Sequence, residues 1–102
     1  MNATQRATRI YLVECYSPGI ARDDVEAAGE RAIEVATSLR DEGCSVEYVG
    51  AILVPADEAV FHVFTSACVG AVREASVRAA VPFERVVESV AIGSLQLGRA
   101  TR

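Results

Sequence analysis

The sequence predicts a single α+β domain with the element order βαββαβ. Four short segments are rich in β-branched and aromatic residues and are bounded by turn residues: Arg9–Tyr16 and residues 45–54, 59–65 and 83–92. Two longer segments between them repeat apolar residues at three- and four-residue steps, the period of a helix with one buried stripe. The chain of 102 residues is 51% hydrophobic and 24% charged, which suits one modest core in a folded globular domain.

Residues 1–8 are expected to form a mobile arm, and the domain to span residues 9–93. The first strand, RIYLVECY, is apolar on both faces, with Ile10, Leu12, Glu14 and Tyr16 on one and Tyr11, Val13 and Cys15 on the other. That pattern predicts a central strand buried on both sides, and Ser17-Pro18-Gly19 ends it. In the first helix Val25, Ala28, Ala32, Ile33, Ala36 and Leu39 form the stripe. Asp23 and Asp24 favour its N-terminal dipole, and Gly43 fits the left-handed position after its last turn.

Glu26, Glu30 and Glu34 line the opposite face at i, i+4 spacing, as a hard-cation stripe or, the expected case, a solvated face relieved by Arg22 and Arg31. The second and third strands flank a turn at Pro55-Ala56-Asp57-Glu58. A second helix is predicted over residues 67–81, capped by Ser66 and stopped by Pro82, with Val69, Val72, Ala75 and Ala79 inward. Residues 94–102 read as a tail in which Leu95 and Leu97 can add pairing residues.

Short connections and right-handed crossovers close this order as a ferredoxin-like split βαβ unit. The expected sheet is antiparallel in the order 4-1-3-2, with both helices on one face. Strand parity assigns Val13, Cys15, Phe61, Val63, Val87 and Ala91 to the helices. The bare face then receives Glu14, Tyr16, Tyr48, His62 and Glu88 among Leu12, Ile52, Phe64 and Val90. Such a face is too apolar to stand exposed. A homodimer that buries Leu12, Tyr48, Ile52 and Phe64 resolves this, closing two sheets into a dimeric α/β barrel.

Composition excludes several partners. No apolar run approaches the roughly 18 residues of a membrane span, and the N-terminus lacks a signal-peptide layout, which implies the cytoplasm. All ten basic residues are arginine and the net charge is −4, against nucleic-acid binding, which needs a concentrated basic face. Three widely spaced cysteines, Cys15, Cys44 and Cys68, suit reduced thiols and not a zinc finger. Cys15 is read as core filling and Cys44 as a loop residue. Cys68, near a helix N-terminus, is read as a small buried residue or a reactive thiolate.

The lone histidine carries the chemistry. On the assumed parity, Glu14, His62 and Glu88 lie on adjacent strands about 4.8 Å apart, and two carboxylates with an imidazole can hold a divalent metal, with Tyr16 and Tyr48 supporting them. The competing structural reading is a buried His62–Glu pair that sets the dimer register. The same groups also suit acid–base catalysis in a barrel cavity. No nucleophile motif, phosphate loop or nucleotide fingerprint accompanies them.

Tyr11-Leu12-Val13-Glu14, Pro18-Gly19-Ile20, Val54-Pro55, Val81-Pro82-Phe83 and Arg85-Val86-Val87-Glu88 together resemble a family of small bacterial domains. Its members have no assigned function or are described as nickel-binding proteins, and they share the ferredoxin-like fold. The resemblance spans Ile10 to Ile92. It implies a small cytoplasmic homodimer that binds nickel or another divalent transition metal. Members often place a cysteine where His62 stands, which keeps a metal ligand there. Ala21 replaces a usual threonine-type cap, and Cys68 and Gly70 stand where a polar cap and an acidic residue are commoner. The alternative is a small-molecule enzyme or ligand-binding module using the sheet-face cavity of the barrel.

Overall fold

A computed structural model describes residues 8–95. Residues 1–7 and 96–102, with Leu97, lie outside the described residues. The elements are β1 (Arg9–Tyr16), α1 (Arg22–Asp41), β2 (Val46–Val54), a 3-10 turn (Pro55–Asp57), β3 (Ala59–Ser66), α2 (Val69–Arg78) and β4 (Arg85–Ser89). They form one antiparallel sheet in the order β2-β3-β1-β4, which counted from the β4 edge is 4-1-3-2. Among the described residues no helix is long and apolar enough to cross a membrane.

Both helices end in the same device. At α1, Cys44 N–H donates to Leu39 and Gly43 N–H to Arg40, with Gly43 left-handed at φ +95°. At α2, Val81 N–H donates to Ser76 and Ala80 N–H to Val77, but the left-handed residue is Ala80, at φ +58°. The α2 helix is shorter than residues 67–81 because Cys68 caps it at one end and Ala80 turns the chain away at the other. Val69 is largely exposed, as is Ile33 of α1. No side chain caps α1 at Ala21; the Asp24 carboxylate accepts the Ala21 N–H instead.

β4 stops at Ser89, short of the expected Ile92. Among the described residues its only partner is β1, which pairs Ser89 with Ile10 near its own start. Val90 and Ile92 therefore run past the ladder and stand exposed, at 79% and 84%.

The pairing register corrects the face assignment. Val13 lies opposite His62 on β3 and opposite Val86 on β4. Odd positions of β1 thus share a face with even positions of β3 and β4. On β2 a bulge between Tyr48 and Gly50 shifts the phase by one residue. Tyr48 pairs with Phe64 before it and Ala51 with His62 after it, so both point to the same side. The core under the helices contains Tyr11, Val13, Cys15, Val60 and Phe64. Leu12, Phe61, Val63, Ile52 and Val87 lie on the open face, and His62, Tyr48 and Phe64 do not.

Candidate functional site

His62 sits in the middle of β3, 3% exposed, beneath α1. Its Nδ1 lies 2.9 Å from the Tyr48 hydroxyl. The Tyr48 ring meets Phe64 edge-on at 5.2 Å and tilts against the imidazole at 5.8 Å. The ring reaches His62 by passing under α1 at Gly29. A Cβ at Gly29 would lie 3.0 Å from the Tyr48 hydroxyl oxygen and 3.2 Å from a ring carbon. Glycine inside a helix costs up to about 1 kcal/mol, and here it makes room for the tyrosine.

Burial, helped by the charge of Arg31, pushes the His62 pKa below its ordinary value of 6.5. The imidazole is therefore neutral at neutral pH. Burial also raises Tyr48, to about 12, so it remains a phenol. Its hydroxyl and His62 Nδ1 are hydrogen-bond partners, the donor being set by the ring tautomer. When the hydroxyl donates to Nδ1, the ring proton sits on Nε2.

His62 floors a cavity of about 190 Å³ between the sheet, the first half of α1 and the segment after α2. Ile20, Val25, Ala28, Val81 and Pro82 make its walls apolar, and Cys15, Ser17, Asp24 and Arg31 add polar groups. The β1–α1 loop at its rim is tied to the β2–β3 turn. Ser17 N–H donates to the Glu58 carbonyl, and Gly19 N–H, at φ +73°, donates to the Glu58 carboxylate. Arg31 closes the other side, with Nε donating to the Ala79 carbonyl at 2.7 Å and Nη2 to that of Ala80 at 3.5 Å. Burial raises the Cys15 thiol to about 11, with Glu84 and Glu14 adding to it, so it stays protonated.

No family model, curated protein or solved structure matches this chain. The site is read from its own residues.

The register separates the three expected metal ligands. Glu14 is on the open face, where its carboxylate accepts from the Tyr16 hydroxyl and from Arg85 Nε. The Arg85 and Tyr16 hydrogen bonds hold its pKa below the ordinary value. Glu88 lies at the helix-side edge of the sheet, exposed and 3.5 Å from Arg9. His62 is inside with Tyr48, while Tyr16 stays with Glu14 on the other face. Among the described residues, no three His, Cys, Asp or Glu side chains gather as a metal-ligand set. On α1 the glutamate stripe is exposed, and Glu26 pairs with Arg22 at 2.9 Å.

Cys44 packs against the core and Cys68 is exposed at the start of α2. The sequence reading missed Arg31 as a site residue. Its one early signal is that it stands one helical turn beyond Ala28, exposed beside the buried stripe, where its long stem can reach across to the end of α2.

Proposed function

We propose that the protein is a small ligand-binding domain whose ligand enters the cavity above His62. The observation that carries this reading is a neutral, buried imidazole whose Nδ1 is committed to Tyr48, leaving Nε2 for whatever occupies the cavity. Among the described residues no buried side-chain nitrogen or oxygen is sealed without a partner. Nε2, unbonded among the described residues, thus keeps access to the cavity space. Enclosure by apolar walls with a few convergent polar groups is the usual form of a small-molecule site. A thermal-shift screen of small organic compounds on tag-free protein is expected to find binders that stabilise the wild type and not His62→Gln. Equal stabilisation of both proteins would remove His62 from the site.

A second reading keeps the transition metal, nickel by the family resemblance. It is favoured by one feature: a histidine held neutral with the Cys15 thiol on the same cavity, two donor types that borderline metals accept. The adjacent Arg31 charge opposes it. Calorimetry with nickel and zinc on tag-free protein separates the two readings.

We also propose that the domain works as a homodimer in the cytoplasm, joined through the open face of the sheet as a dimeric barrel. Leu12, Phe61 and Val87 are only half-covered there, and Ile52 is 57% exposed. Three unpaired thiols suit a reducing compartment. Light scattering tests the assembly, with a monomer at micromolar concentration as the opposing result.

A further inference from the structure

We propose that the ligand of the His62 cavity is a small organic carboxylate, held by the Arg31 guanidinium and by the Nε2–H of His62. This rests on the binding reading above and names its substrate class.

The cavity offers donors. In the proposed tautomer the Tyr48 hydroxyl donates to Nδ1, so the ring nitrogen left to the cavity carries a hydrogen and no free lone pair. Arg31 has five N–H donors, and two go to the Ala79 and Ala80 carbonyls. The other three are uncommitted among the described residues. Arg31 also makes no ion pair among them, whereas Arg9, Arg22, Arg78 and Arg85 each face a glutamate. An unpaired guanidinium with an open fork is the group best shaped for a carboxylate.

One carboxylate does line the cavity, but it stands apart. Asp24 precedes Arg31 by seven residues on α1, about 10 Å along the axis, and it accepts the Ala21 N–H. Between these ends the walls are mostly apolar, with Ser17 and the Cys15 thiol among them. A volume of about 190 Å³ is that of about six waters at liquid density. It suits a carboxylate with a short hydrocarbon body. A divalent cation fits poorly, because it would meet an N–H and a positive charge.

The chain's single histidine makes its ring resonances unambiguous in NMR. Tag-free protein is titrated with butyrate, butyramide and butylamine while the His62 ring signals are followed. Butyrate is expected to shift them saturably, butyramide to bind at least about tenfold more weakly, and butylamine to leave them unchanged. Arg31→Gln should weaken butyrate at least about tenfold and leave butyramide unaffected. Because Arg31 also anchors the end of α2, Ala28→Leu serves as a second variant. It fills the cavity, keeps the guanidinium, and should abolish the butyrate response.

Equal affinity for butyrate and butyramide overturns the carboxylate assignment, as does unchanged butyrate affinity in either variant. A response to nickel or butyramide without one to butyrate also overturns it, while leaving the cavity as a binding site. Silence of His62 toward all of these probes overturns both.

Discussion

Replacing Tyr48 with Phe removes one oxygen and keeps the ring, so it isolates the Tyr48–His62 hydrogen bond. The bond is 2.9 Å long and its acceptor residue is 3% exposed. With the hydroxyl gone, Nδ1 is left buried without a partner. A stranded buried acceptor costs about 1–3 kcal/mol. For a domain of this size each kcal/mol lowers Tm by about 4–8 °C, so a loss of roughly 2 kcal/mol lowers it by about 8–16 °C. The assay is urea denaturation at pH 7.5, read as the midpoint at constant slope.

A double-mutant cycle with His62→Leu separates this bond from packing. Removing both polar partners should cost less than the sum of the single changes by about 1–2 kcal/mol, because neither group is then stranded. In the same samples the wild-type His62 ring should show its proton on Nε2. A Tyr48→Phe protein as stable as wild type, with additive energies in the cycle, would refute the inferred tautomer and the neutral floor of the cavity.

Acid should destabilise the fold through His62. Its folded pKa lies below the unfolded value of 6.5, so the stability from the neutral ring is full above about pH 6.5 and is lost as pH falls toward the folded pKa. His62→Gln should flatten that loss in denaturation midpoints measured between pH 7 and 5. Ala80→Gly should stabilise the domain by about 0.5–1 kcal/mol, since Ala80 occupies a left-handed position at φ +58° that glycine adopts without strain; urea midpoints report it. Phe61→Glu places a charge in the middle of the open face and should yield a monomer by light scattering with helical circular dichroism unchanged; a persistent dimer would move the interface elsewhere.

Element order and most boundaries were legible because each rests on local signals. The stripe Val25 to Leu39 and Gly43 mark α1, and Pro55 with Asp57 marks the turn between β2 and β3. Faces were not legible in the same way. In β3 the even residues Val60 and Phe64 and the odd residues Phe61 and Val63 are equally apolar, so hydrophobic alternation does not choose a side. The choice was made by pairing Val13 with His62, a long-range fact that neither strand carries alone. His62 was recognised as the unusual residue, yet its neighbours were assigned from a parity one step out of phase. Tyr48 was kept beside it, but Arg31 and Cys15 were replaced with Glu14 and Glu88. The fit of Gly29 over Tyr48 joins a helix to a strand 19 positions later, and periodicity within one element has nothing to say about it.

The bulge in β2 makes that strand two rulers with offset marks. Val46 and Tyr48 are core positions on the first, and Ala51 and Leu53 are their counterparts on the second. Val49 is the unpaired step between them. Excising it would give the strand a single rhythm with every pairing kept, so Tyr48, Ala51 and Leu53 would all still face the helices. An alignment of β2 with an unbulged strand therefore matches like interiors only with a one-residue gap at Val49, and without that gap one half is compared inside out even where the flanking letters agree.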